Sequence, residues 1–156
     1  MSPETLDHAG IAALIPHRGP MCLLDRMTSW SATGIECIAV DHRDPKHPLR
    51  SRSGLLASAA IEYAAQATAV HGALCAQAAG DRAAPGFLAS ARDVRLACLR
   101  LDDLPIASPD ELIVTAERQA ADASRILYSF RLSHGGRELA TGRVAVVLAT
   151  PLPEPT

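Results

Sequence analysis

A chain of 156 residues in which 48% of side chains are hydrophobic and only 3% aromatic fits one domain with a core of closely packed Ala, Leu, Ile and Val. Its formal charge of -2 and pI near 6.3 give no electrostatic case for binding nucleic acid. Cys22, Cys37, Cys75 and Cys98 are scattered without a C-x-x-C pair, so neither a zinc knuckle nor a dithiol redox motif is indicated and buried free thiols are expected.

The first residues lack a basic stretch followed by an apolar run, so no secretory signal is read there. Residues 11–15 read as a short helix or turn that Pro16 ends, and His17-Arg18-Gly19-Pro20 as a polar loop. Residues 21–30 and 34–41 read as two strands; in the second, Ile35, Cys37 and Ala39 alternate with Glu36, Ile38 and Val40. The segment 41–53 is polar and punctuated by Pro45 and Pro48, a loop at the surface or over a pocket.

The spacing then predicts one long helix over 55–79, rich in alanine, free of proline, ended near Gly80 and buried all round. Glu62, Gln66, His71 and Gln77 interrupt its apolar character, so it does not read as a membrane span, and a cytoplasmic protein is expected. Four strands follow at 87–101, 111–121, 125–134 and 137–149, with a hairpin tip at Ser133-His134-Gly135-Gly136-Arg137. The expected architecture is α+β: one domain over 1–150 in which an antiparallel sheet is covered by a single helix, with a frayed tail at 151–156.

The chemistry concentrates on the long helix. Glu62 stands in an alanine-lined wall, and Gln66, four residues on, projects from the same face, where an amide can orient the carboxylate. Burial of such a carboxylate favours its protonated form and suits it to proton transfer; the plainer alternative is a solvated stripe. His47, fifteen residues before Glu62, is a candidate acid/base partner or simply a solvated or loosely packed loop histidine. Asp41, His42, Asp44 and His47 lie close enough in sequence to suggest a metal site, but such spacing in a loop is weak support, and no metal or cofactor is expected. Arg43, Lys46, Arg50 and Arg52 form a local basic cluster suited to an acidic or phosphate-bearing carrier, or are simply solvated. No Gly-x-Ser-x-Gly, P-loop or dinucleotide fingerprint is present.

The run Ile15-Pro16-His17-Arg18-Gly19-Pro20-Met21-Cys22-Leu23-Leu24-Asp25-Arg26 resembles the opening of FabZ-type 3-hydroxyacyl-ACP dehydratases. His47-Pro48 and Ile61-Glu62-Tyr63-Ala64-Ala65-Gln66-Ala67 are similar to that family's histidine loop and Glu-x-x-x-Gln helix. The Ile-Glu-Tyr form, with Pro85-Gly86-Phe87-Leu88 after the helix, is similar to the ApeP-type branch associated with aryl polyene clusters. The resemblance implies a hotdog fold, a homodimer or heterodimer with the site at its interface, and no cofactor. It further implies that His47 of one subunit removes the C2 proton of a 3-hydroxyacyl thioester on acyl carrier protein. Glu62 of the other subunit helps the hydroxyl leave, Gln66 steadies Glu62, and N–H groups at Leu56 and Ala57 meet the thioester carbonyl. Ala57 stands where that family has glycine, and the glycines of its histidine loop are reduced here to Gly54. Two other readings are an acyl thioesterase in which Glu62 activates water, and a weakly catalytic hotdog subunit that supports an active partner.

Overall fold

The computed structural model describes residues 3–17, 19–81 and 86–148. A short helix α1 (His8–Ala12) opens the chain, capped by Asp7, whose side chain accepts the Gly10 N–H at 2.8 Å. It begins earlier than the predicted turn at 11–15 because Asp7 supplies the N-cap, and Ile11 carries its buried side. A single 3-10 turn, Gly19–Met21, precedes strands β1 (Arg26–Trp30) and β2 (Gly34–Ala39).

The long helix is present as a 3-10 turn, Ala57–Ala59, running into α2 (Ala60–Ala78). Strands β3 (Gly86–Leu96), β4 (Leu112–Ala121), β5 (Arg125–His134) and β6 (Arg137–Leu148) complete a six-stranded antiparallel sheet in the order β1-β2-β4-β5-β6-β3. The predicted tail at 151–156 lies outside the described residues.

One sheet face covers α2. Leu112, Val114 and Ala116 of β4, Tyr128, Phe130 and Leu132 of β5, and Val144 of β6 are buried in one cluster with Tyr63, Ala64, Ala67, Val70 and Leu74 of the helix. Small residues let sheet and helix approach closely. At Gly142 a Cβ would sit 2.7 Å from the Phe130 ring, so only glycine leaves room for it. The helix is not buried all round within the chain, because Ile61, Glu62, Ala65 and Ala69 form a half-exposed stripe. His71 is fully buried, with Nδ1 2.8 Å from the Tyr128 hydroxyl and Nε2 2.9 Å from the Ser31 carbonyl. Burial pushes its pKa down and pushes the Tyr128 phenol up.

The four cysteines are unpaired, as expected; Cys22 and Cys37 are buried and the other two half-buried. Burial pushes the Cys37 thiol up to about 12, which leaves it a packing group rather than a nucleophile.

Strand β3 is the exception to inward packing. Among the described residues it pairs with β6 alone, is exposed along nearly its whole length, and presents Phe87, Leu88 and Leu96 to solvent. Leu99 and Ile106 are also exposed in the following segment. A long edge strand bearing apolar side chains is a surface that soluble proteins ordinarily cover.

Candidate active site

Glu62 sits in the first turn of α2 and half-faces solvent, at the wall of a cleft of about 400 Å³ lined also by Leu49, Ser51, Leu56, Ser58, Ala59 and Ile61. Its Oε1 lies 3.0 Å from His17 Nε2 and 3.3 Å from Gln66 Nε2. Gln66 is fully buried and its orientation is fixed from both ends: its Oε1 accepts the Leu23 N–H at 2.9 Å, and its Nε2 also donates to the Met21 carbonyl at 2.7 Å. The four-residue spacing therefore brings Glu62 and Gln66 together, and the two tie His17, Met21 and Leu23 to the helix.

The histidine beside Glu62 within the chain is His17, not His47. His47 lies in a separate network, its side chain fully covered. Its Nδ1 accepts the Leu49 N–H at 3.1 Å, which assigns the proton to Nε2; that nitrogen is 3.0 Å from the Tyr63 hydroxyl and 3.2 Å from Asp41 Oδ2. Tyr63 donates to Asp41 Oδ1 at 2.6 Å, and burial followed by the Asp41 charge pushes its pKa well up, keeping it a donor. A ring so held has no open lone pair for a substrate proton. Replacing Tyr63 with Phe is expected to cost about 1–2 kcal/mol of stability, since it strips Asp41 and His47 of a shared buried partner; urea unfolding measures it.

Tracing the remaining predicted residues, Ala57 N–H donates to the Leu99 carbonyl at 2.9 Å. The Leu55–Ala57 backbone forms a bridge with residues 99–101, so this N–H is occupied and does not face the cleft as an open donor. Leu56 and Ser58, on either side of it, line the cleft. Of the basic cluster, Arg43 grips Asp110 with Nε at 2.6 Å and Nη2 at 3.0 Å, and Arg50 lies 3.1 Å from Asp102. Lys46 and Arg52 are exposed, and among the described residues neither is ion-paired.

Asp41, His42, Asp44 and His47 do not converge on one point: Asp41 meets His47, and the other two turn elsewhere. Asp44 is exposed and caps the Lys46 N–H, while buried His42 turns towards Asp110 and His134. Asp110 Oδ1 lies 2.7 Å from His134 Nε2 and 3.5 Å from His42 Nε2. The Arg43 fork already occupies this carboxylate, so the positive charge a metal would bring is supplied by the guanidinium. Arg43 and then His134 pull the Asp110 carboxyl well below its usual range, while burial pushes His42 down. A second groove of about 610 Å³ runs over the other face of the sheet past Thr115, Glu117, Ser129, Arg131 and Arg143, and shares no lining residue with the Glu62 cleft.

The site thus sets a glutamate held by a buried glutamine on a helix wrapped in a six-stranded antiparallel sheet. The family model of the ApeP-like proteins, described as ApeP dehydratase, matches residues 9–154. The chain belongs to the ApeP-like dehydratase family. Among solved structures, the dehydratase heterocomplex ApeI:P from Xenorhabdus doucetiae is similar, with a TM-score of 0.78 at 23% identity over 90% of this chain and 91% of that one. Zebra fish thioesterase superfamily member 2 has a TM-score of 0.63 at 13% identity over 89% and 93% of the two chains. A mutant thioesterase from Pseudomonas aeruginosa has a TM-score of 0.58 at 12% identity over 80% of each. These likenesses establish the hotdog fold for this ApeP-like chain. By sequence, no curated protein matches it. Among the described residues no helix is long and apolar enough to cross a membrane.

The approach of His17 to Glu62 was missed in the sequence. Its contact with Glu62 spans 45 residues, beyond any helical or strand period. The available signal was its place within the Pro-His-Arg opening, which carries the family resemblance.

Proposed function

We propose that this ApeP-like chain is one subunit of a dehydratase that removes water from 3-hydroxyacyl thioesters on acyl carrier protein, giving trans-2-enoyl thioesters for polyene or fatty acid-type synthesis. The observation that carries the reading is Glu62, clamped on one oxygen by His17 and Gln66, with no partner on the other among the described residues, at the wall of the cleft. In the forward step a base takes the C2 proton, the electron pair forms the C2=C3 bond, and Glu62 gives a proton to the departing C3 hydroxyl, which leaves as water. The base ends protonated and Glu62 ionised; exchange with solvent resets both.

The base comes from a second hotdog subunit. This chain's own His47 is sealed by Asp41, Tyr63 and Leu49 and serves as base only if its loop opens. The exposed β3 edge and the apolar Phe87, Leu88 and Leu96 are the surface for that subunit. A heterodimer is therefore favoured over a homodimer, and the supporting-subunit reading is kept in the form of a subunit that contributes Glu62. Of the basic cluster, Lys46 and Arg52, without an ion pair among the described residues, are the cations for an acidic carrier, and Leu56 and Ser58 offer N–H groups at the start of the helix to the thioester carbonyl.

The test is to incubate a 3-hydroxyacyl-carrier substrate with the chain alone and with an ApeI-type hotdog subunit, following product by mass spectrometry. Loss of water is expected with the pair, at least about 10²-fold faster than with this chain alone. Release of free acid would identify a thioesterase instead, and full activity of the chain by itself would sink the shared site.

A further inference from the structure

We propose that His17 is a positioning residue for Glu62: its Nε2–H holds Oε1, so that Oε2 is the oxygen that exchanges protons. Three observations carry this. Oε1 takes two contacts, from His17 at 3.0 Å and Gln66 at 3.3 Å. Because Gln66 is anchored through both its amide atoms, its NH₂ must face Glu62, which makes Oε1 an acceptor and His17 Nε2 the matching donor. Oε2 has no hydrogen-bond partner among the described residues, and the Glu62 side chain is 30% exposed.

The far side of the ring fits the same assignment. His17 Nδ1 is buried with no partner among the described residues. With the proton on Nε2, that buried position holds a lone pair. A proton on Nδ1 would place a donor there with no acceptor, the more costly arrangement, and would leave the Glu62 contact without its hydrogen. His17 does not line the cleft, whereas Glu62 does, so the imidazole stands behind the carboxylate and acts through it. The polar loop that carries the family resemblance thereby gains a function: it brings to α2 the group that selects which carboxylate oxygen reacts.

The effect on rate rests on the dehydratase reading; the pairing itself does not, and the experiment separates the two. The chain assembled with an ApeI-type subunit is compared with His17→Ala and His17→Gln assemblies. Loss of the donor in His17→Ala is expected to lower kcat by about 10–100-fold with KM changed less than about 3-fold, because misplacing a reacting group costs rate rather than binding. Gln places an amide N–H near the position of Nε2 and is expected to recover most of the loss. In parallel, nitrogen-15 NMR of histidine-labelled wild-type protein reads the ring directly: a protonated Nε2 and a bare Nδ1 are expected for the neutral ring. A protonated Nδ1 with a bare Nε2 overturns the proposal, as does His17→Gln no better than His17→Ala in a folded protein, or a change confined to KM. If the wild-type assembly never releases water, the dehydratase reading fails, and the NMR tautomer alone upholds or overturns the clamp on Oε1.

Discussion

Replacing Glu62 with Gln is expected to lower water loss from a 3-hydroxyacyl-carrier substrate by about 10²–10⁴-fold, the usual worth of a positioned acid or base. The change preserves shape and removes only the exchangeable proton. A glutamine carbonyl at 62 still accepts from His17 and Gln66, its NH₂ takes the place of Oε2 at the cleft, and no hydrophobic contact is lost. Melting temperature is therefore expected to stay within a few degrees of wild type, the scale of a surface substitution. Both quantities should be measured on one preparation, with the ApeI-type subunit present. A stable Glu62→Gln protein that keeps more than about a tenth of wild-type turnover would remove Glu62 from the proton path. Glu62→Ala is the less clean experiment, since it also leaves His17 Nε2 and the Gln66 amide without their common acceptor.

The fold was legible where the period of the sequence was strong. Strand β5 falls at the predicted residues, and β4 and β6 begin within one residue of theirs, because alternation and the Gly135-Gly136 turn fix their register. The long helix was legible from its alanines, but its early residues form a 3-10 turn because the Leu55–Ala57 backbone is diverted into a bridge with residues 99–101. Predicted strand 21–30 loses its first half because the Gln66 side chain satisfies backbone at Met21 and Leu23, taking the place of a strand ladder there. In the site, the Glu62–Gln66 relation follows from four-residue spacing, whereas the partner of each histidine does not. His17 reaches Glu62, His42 approaches Asp110, and His47 meets Asp41 and Tyr63 through tertiary packing, to which a periodicity argument is blind. The basic cluster shows the same limit: half of it is consumed by Asp102 and Asp110, acids more than fifty residues downstream.

Asp102 should make the start of the helix that bears Glu62 sensitive to acid. Its side chain, 3% exposed, accepts the Leu55 N–H at 3.0 Å and hydrogen bonds from Arg100 at 2.9 and 3.1 Å, with Arg50 at 3.1 Å. Arg100 chiefly, with the Leu55 N–H assisting against desolvation, pulls its pKa down from 3.8 to about 2. A folded-state value below the unfolded one means that the unfolded chain binds the proton more readily. The ionised contact therefore stabilises fully above pH 4, and its contribution drains away as pH falls through the window from about 4 to 2. Discounted for the partly exposed arginines, that contribution is about 1–2 kcal/mol. In Asp102→Asn the stability lost at pH 6 should accordingly shrink towards pH 2, as urea unfolding across that range would show. A gap that stayed constant would mean that Asp102 acts through hydrogen bonds indifferent to its charge. Since Leu55 leads directly into Leu56 and Ser58 at the cleft, the same substitution should loosen that wall, raising KM before it alters kcat.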